Sequence, residues 1–148
     1  MSATFASQEW ADSLAVHLHD SAAVRTESIS WVHGPLLLVI DADVEHGVES
    51  VGVRIDLHEG SVRSVTLVPA EDARLCPFAV GGSIARWKAV FVDRSLSLVD
   101  GVLESRLRLR GDLPTFARHR GLLDAVAVAA AGIETIWQDE LEPAAAPA

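Results

Sequence analysis

Cysteine and long hydrophobic runs are scarce in this sequence. The single cysteine, Cys76, cannot form an internal disulfide, which excludes a fold held by such bonds. No apolar run reaches the roughly 18 residues of a transmembrane helix, and the longest candidate, residues 122–133, is interrupted by Asp124. The N-terminus also lacks the basic segment followed by an apolar stretch that marks a secretory signal. We therefore expect a cytoplasmic protein with no integral membrane association.

Positive charge is scarce as well. With 12 Lys and Arg against 21 Asp and Glu, the formal net charge is −9. This argues against nucleic acid as a partner, because binding to phosphates needs clustered positive side chains. A short basic row is the exception: Arg106, Arg108, Arg110, Arg118 and Arg120. The row is typical of a solvated strand face followed by a helix face, and the alternative is a local site for an anionic head group.

The sequence does contain enough apolar material for one core. Its 148 residues suit a single domain, and 49% of them are hydrophobic. We expect residues 1–140 to form this domain. Residues 141–148 are mostly proline and alanine and are expected to be a disordered tail.

Hydrophobic periodicity predicts an α+β fold with five strands. The clearest strand is residues 51–58, where Val53, Ile55 and Leu57 alternate with polar residues. It is expected to pair in an antiparallel meander with its neighbours in the chain. The other predicted strands are residues 29–40, 62–68, 74–80 and 106–110. The predicted helices are residues 7–20, 84–92, a short helix capped by Ser95, and one long C-terminal helix over 113–137, while the polar residues 21–28 are predicted to be a connection.

The second half of the chain carries an order of features that resembles a known family. A strand ending at residues 78–80 leads through Gly82-Ser83 into a helix that bears Trp87. A short helix follows, and the strand Leu107-Arg108-Leu109-Arg110 is then closed by Gly111-Asp112-Leu113. Over about residues 74–130 this order is similar to the sterol carrier protein family of lipid-binding domains. The sequence departs from the family at Ser105, where glycine usually precedes the strand, and at Gly34-Pro35.

The resemblance implies a five-stranded, mainly antiparallel sheet covered by helices on one face, with a cavity between sheet and helices. Members of the family bind sterols, fatty acids or acyl-CoA, and some are accessory domains of bacterial enzymes. By position, the resemblance places ten side chains around a ligand: Phe78, Val80, Trp87, Val99, Leu103, Phe116, Leu123, Val126, Ala130 and Ile133. At their helical and strand spacing, the same ten residues fit an ordinary core equally well. The small residues over 127–132 permit either a void or close helix packing.

Candidate metal ligands each have a simpler interpretation. His17 and His19 are two apart on a predicted helix and do not share a face, whereas a zinc pair on a helix needs a spacing of three or four. The acidic stretch of residues 41–46, with Asp41, Asp43 and Glu45 before His46, lacks the spacing of a calcium loop and is typical of a solvated turn. We assign no metal ligand.

Candidate catalytic groups are equally few. Asp56 and His58 lie on the polar face of the clearest strand, and such a pair can perform acid–base chemistry only if that face meets a cavity. Cys76 is expected to be a buried structural thiol, and Gly81-Gly82-Ser83 lacks the lysine and the spacing of a phosphate loop. We assign no catalytic residue and no cofactor.

Three functions stay open from the sequence. The first is non-catalytic binding or transfer of a hydrophobic ligand: a fatty acid, an acyl-CoA or a sterol-like molecule. The second is a small enzyme of the cyclase or isomerase type that acts on an apolar substrate in the same cavity. The third is an accessory interaction module without a ligand. The positions predicted to face inward are almost all uncharged, which favours the first function. A homodimer or a partner enzyme is compatible with each of them.

Overall fold

The computed structural model describes residues 2–140 and contains a five-stranded sheet, a two-stranded sheet and six α-helices. In chain order the elements are β1 (Ala3–Thr4), α1 (Gln8–Asp20), α2 (Ala22–Glu27), β2 (Leu36–Ile40), β3 (Val51–His58), β4 (Ser61–Val68), β5 (Phe78–Gly82), α3 (Ile84–Phe91), α4 (Leu98–Leu103), β6 (Arg108–Arg110), α5 (Leu113–Arg118), α6 (Arg120–Ala131) and β7 (Thr135–Ile136). Short 3-10 helices span Val44–His46, Ala70–Leu75 and Gln138–Glu140. The tail predicted at residues 141–148 lies outside the described residues.

The five-stranded sheet is mixed and mostly antiparallel, and it confirms the predicted α+β fold class. Its strand order is β4-β3-β2-β5-β6. The predicted antiparallel meander is formed by β2, β3 and β4, and β5 pairs with β6 in the same sense, whereas β2 and β5 are parallel. The hairpin between β3 and β4 turns at Glu59 and Gly60, whose φ angles are +42° and +92°. Positive φ at both central residues is typical of a tight hairpin whose twist matches its strands.

Alternation along the strands gives the sheet two apolar faces of unequal size. One face belongs to the main core, where Val53, Ile55 and Leu57 are at most 1% exposed. The opposite face carries a smaller cluster that includes Leu37 and Ala79. The 3-10 helix Ala70–Leu75 packs against β2 and β3.

Five of the six described helices, α1 to α5, begin where a short polar side chain caps them. Ser7, Ser83 and Asp112 cap α1, α3 and α5 as predicted, because each side-chain oxygen accepts a hydrogen bond from a backbone N–H in the first turn. The cap of α4 is Ser97, so the prediction of Ser95 was wrong by two residues. In the folded chain α6 packs against α1, α2, α3 and α4, while α1 lies against β4.

The segment predicted as one long helix over residues 113–137 forms two helices and a strand. The break between α5 and α6 falls at His119, and α6, the C-terminal helix, has 12 residues and ends at Gly132. A Cβ at Gly132 would lie 3.0 Å from Cδ2 of His17, so α1 approaches the end of α6 closely. After Gly132 the chain is no longer α-helical, and β7 pairs in parallel with β1. Helical periodicity cannot reveal this pairing, because its two strands lie at opposite ends of the sequence.

Further boundaries differ from the prediction, among them the strand predicted over 106–110, which begins at Arg108. The first sheet strand begins at Leu36 rather than residue 29, because Gly34 adopts a φ of +82° and its carbonyl accepts a 2.7 Å hydrogen bond from the Trp31 indole. The strand predicted over 74–80 begins at Phe78, since the 3-10 helix before it extends to Leu75. Residues 21–28 contain α2 instead of a plain connection, and Ser21 caps it.

Candidate functional site

A cavity of about 370 Å³ lies at the C-terminal ends of α3 and α6. We call it the α3–α6 cavity. Its lining consists of Phe91, Val92, Ala130, Ala131, Ile133, Thr135, Trp137 and Glu140. None of these residues belongs to the five-stranded sheet, so the cavity is bordered by two helix ends and the segment that follows α6.

Aromatic rings hold one wall of the cavity in place. Trp137 is 5% exposed, and the centroid of its ring lies 4.4 Å from that of Phe5. The Phe5 ring in turn meets Trp10 edge-on at 4.9 Å. The backbone supports this arrangement, because the Phe5 N–H donates to the Ile136 carbonyl at 3.0 Å. Pairing of the two ends of the chain therefore positions Trp137.

Small side chains leave the space open on the opposite side. Ala130 and Ala131 are the final two residues of α6, and each contributes only a methyl group to the lining. Val92, at the C-cap of α3, is 51% exposed and forms part of the mouth. Most of the lining side chains are therefore apolar, while polar and apolar atoms share the surface open to a ligand about equally.

The hydroxyl of Thr135 is already engaged inside the protein. It accepts a 3.1 Å hydrogen bond from the Trp10 indole N–H and donates a 3.0 Å bond to the Ile133 carbonyl. In the segment that follows, the Gln138 amide nitrogen donates to the Phe5 carbonyl at 2.7 Å. The polar atoms near the cavity thus mainly hold its walls together.

The one lysine of the chain, Lys88, is not a lining residue but contacts one. Its ammonium group donates to Glu140, a lining residue, and lies 3.6 Å from Asp139. The hydrogen bond with Glu140 raises the pKa of Lys88. These contacts attach the segment Gln138–Glu140 to α3.

Solved structures share this architecture. A crystal structure of sterol carrier protein 2 aligns with a TM-score of 0.77 at 24% identity, over 86% of this chain and 97% of its own. A conserved hypothetical protein of Thermus thermophilus, described as possibly a sterol carrier protein, gives a TM-score of 0.78 at 22% identity, over 91% of this chain and 94% of its own. This chain has the sterol carrier protein 2 fold.

The sterol carrier protein 2 fold confirms the resemblance that the sequence predicted. Sterol carrier protein 2 of Yarrowia lipolytica, in its apo form, is a more distant match with a TM-score of 0.52 at 10% identity, over 82% of this chain and 88% of its own. No protein-family model and no curated protein matches the sequence. Within residues 2–140, none of the helices combines the length and the apolar character needed to cross a bilayer.

The ten residues predicted to surround a ligand in this fold fall into three groups. Ala130 and Ile133 line the α3–α6 cavity. Leu103, at the end of α4, is 57% exposed and faces solvent. The other seven are buried in the main core: Phe78, Val80, Trp87, Val99, Phe116, Leu123 and Val126. Contact between these seven and a ligand stays a prediction.

The remaining lining residues were missed by the site prediction. Phe91 and Trp137 are spaced along the sequence like the core residues of their predicted helices. Periodicity alone therefore does not distinguish them as cavity-lining residues. Thr135 and Glu140 lie beyond the break at Gly132, where the predicted helix does not exist. The run of alanines at the end of α6 was the one local signal of unfilled space.

The candidate metal ligands lie in the turn after β2 and on α1. Asp43, Glu45 and His46 bring their ligand atoms within 4.8 Å of one another, and His46 Nδ1 lies 2.7 Å from a carboxylate oxygen of Asp43. The Asp43 side chain also caps the 3-10 helix Val44–His46, which agrees with the predicted turn. His17 Nδ1 bonds the Ser13 carbonyl at 2.8 Å on its own helix.

The groups considered for catalysis do not converge. His58 Nε2 lies 4.0 Å from Glu59 rather than beside Asp56. Cys76 is 8% exposed, and its burial raises the pKa of its thiol. The burial of Cys76 agrees with its interpretation as a structural thiol.

The arginine row is divided between two parts of the molecule. Arg108 donates two hydrogen bonds to Asp41, at 2.8 and 2.6 Å, on the sheet. Arg120 instead pairs with Asp100 at 3.1 Å, between α6 and α4. Two residues of the row are therefore already paired with carboxylates on different elements.

Proposed function

We propose that this chain binds or transfers a hydrophobic ligand without catalysis, and that the ligand is a fatty acid, an acyl-CoA or a sterol-like molecule. The observation that carries the proposal is the α3–α6 cavity, whose lining residues are mainly apolar, within a sterol carrier protein 2 fold. Small-molecule sites are usually concave and apolar, with a few polar groups that set the orientation of the ligand.

The size of the cavity favours a single acyl chain as the part that enters it. Its volume of about 370 Å³ is near the lower end of the roughly 300–1,000 Å³ that is usual for ligand pockets. A longer ligand has to displace core side chains next to Ala130. Val126, which lies one turn earlier on α6, is one of them. We therefore expect the seven predicted residues of the core to border only a ligand that extends beyond the cavity.

Lys88, which contacts the lining residue Glu140, can hold a negatively charged head group. Its partner Glu140 is exposed, with 58% of its side-chain surface accessible. An incoming carboxylate can replace Glu140 on the ammonium group, because the displaced Glu140 is then solvated and no buried charge is left unpaired. The apolar tail would lie against Phe91 and Trp137.

Binding of cis-parinaric acid, a fatty acid that fluoresces in apolar surroundings, tests the proposal. Ala131→Trp places an indole on the lining at an exposed position, where overpacking is small. Val128→Trp is the matched control, since Val128 is on the same helix, 59% exposed and outside the lining. We expect the unmodified chain and Val128→Trp to bind equally, and Ala131→Trp to bind at least about tenfold more weakly, which corresponds to about 1.4 kcal/mol.

Two outcomes of this titration contradict the proposal. If the unmodified chain shows no saturable fluorescence, it does not bind the acyl chain. If both tryptophan variants weaken binding to the same extent, the ligand is not held in the α3–α6 cavity.

A further inference from the structure

A second cavity lies on the other side of the five-stranded sheet. It measures about 270 Å³ and runs between the 3-10 helix Ala70–Leu75 and β6. We call it the outer groove. Ala79 and Gly81 form its floor with Val39, and Ala70 and Ala73 form one wall. Its space exists because four of these five side chains are no larger than a methyl group.

The outer groove is separate from the α3–α6 cavity. Phe78 and Val80 on β5 point into the main core. Successive side chains of a strand point to opposite faces, so Ala79 and Gly81 face the groove. The two cavities share no lining residue. A ligand in one does not need the other.

Two arginines of β6 form the wall opposite the 3-10 helix. Arg108 lies across the strand next to it, since a Cβ at Gly81 would be 2.6 Å from its Nη2. Its charge is balanced by the two hydrogen bonds with Asp41. Arg108 therefore forms part of the groove wall, but its charge is already paired with that of Asp41.

Arg110 differs because its charge is not balanced. Its Nη2 donates to the Arg74 carbonyl at 3.3 Å, and within residues 2–140 it has no carboxylate partner. The side chain is exposed and lines the groove. In a chain with a net charge of −9, an arginine that faces an apolar groove without an acidic partner is available to an anion.

We propose that the outer groove binds an organic carboxylate with a short apolar body. The carboxylate would pair with the guanidinium of Arg110, whose planar fork matches two carboxylate oxygens. The apolar body would lie on Ala79 and Gly81 against the wall formed by Ala70 and Ala73. This site is additional to the proposed lipid cavity and does not depend on it.

An NMR titration with sodium octanoate tests the outer groove. Backbone amide signals of Ala73, Ala79 and Gly81 report on the groove, while those of Ala131 and Ile133 report on the α3–α6 cavity. Octanamide has the same apolar body without the charge, and sodium acetate has the charge with almost no apolar body. We expect octanoate to shift the groove signals saturably, with the other two compounds needing about tenfold higher concentrations or more.

Two variants that each remove one positive charge complete the test. Arg110→Gln is expected to weaken octanoate binding at the groove about tenfold. Arg63→Gln is the control, because Arg63 is exposed on β4, at the opposite edge of the sheet. The proposal is overturned if octanoate leaves the groove signals unshifted, if acetate is as effective as octanoate, or if both variants bind alike. Shifts at Ala131 and Ile133 are scored separately, so failure of the groove is distinguishable from failure of the lipid cavity.

Discussion

Replacing Trp137 with alanine is expected to destabilise the protein strongly, although the residue lies close to the end of the described chain. Its side chain is 5% exposed, its ring centroid lies 4.4 Å from that of Phe5, and it forms a wall of the α3–α6 cavity. Removing a buried tryptophan side chain usually costs about 3–5 kcal/mol. The new space would join a cavity that already opens to solvent, so water can fill part of it, and we expect a loss near 3 kcal/mol, at the lower end of that range.

Urea unfolding measures this loss directly. For a small domain, the free energy of unfolding changes by about 1–3 kcal/mol per molar urea, so the midpoint of Trp137→Ala should fall by about 1–3 M. Ile136→Ala is the control, because Ile136 is 40% exposed and its replacement should cost no more than about 1 kcal/mol. If the two variants unfold at similar urea concentrations, Trp137 does not pack on Phe5 and the wall of the cavity is misplaced.

Two further predictions concern charged groups. Burial, with a smaller effect of His33, lowers the pKa of His119. The imidazole of His119 therefore binds a proton more readily in the unfolded chain than in the folded one. The stability contributed by neutral His119 is present above the ordinary histidine pKa of about 6.5 and is lost as the pH falls below it. Urea midpoints at acidic and neutral pH should differ more in the unmodified chain than in His119→Gln, and an equal difference contradicts the assignment. Lys88→Met removes the contacts with Glu140 and Asp139. Partly exposed ion pairs contribute about 0–1 kcal/mol, so the free energy of unfolding should fall by less than about 1 kcal/mol. Hydrogen exchange of the backbone amides of residues 138–140 should become faster. If that exchange is unchanged, Lys88 does not hold this segment.

Local patterns in the sequence were sufficient for most of the fold. Strict alternation over residues 51–58 predicts β3 because one face of that strand is buried and the other is polar. Ser7, Ser83 and Asp112 mark helix starts because their side chains bond backbone N–H groups within the same turn. In each case the pattern that predicts the structure lies within a few residues along the chain.

The site was harder to predict because distant contacts define it. Gly132 ends α6 where α1 passes close by, and the pairing of β1 with β7 then brings Trp137 onto Phe5. A helical pattern continues through this region of the sequence, so it suggests one long helix and one continuous face. Of the ten predicted ligand residues, Ala130 and Ile133 line the cavity, one in the last turn of α6 and the other directly after Gly132.

Native mass spectrometry of the chain extracted from a cell lysate is the most direct test of the carrier proposal. We expect one hydrophobic molecule of fatty-acid, acyl-CoA or sterol mass per chain, released under harsher activation and restored to the stripped protein by palmitate or another ligand of these classes. A bare protein mass that stays unchanged after incubation with palmitate, an acyl-CoA and cholesterol would contradict it.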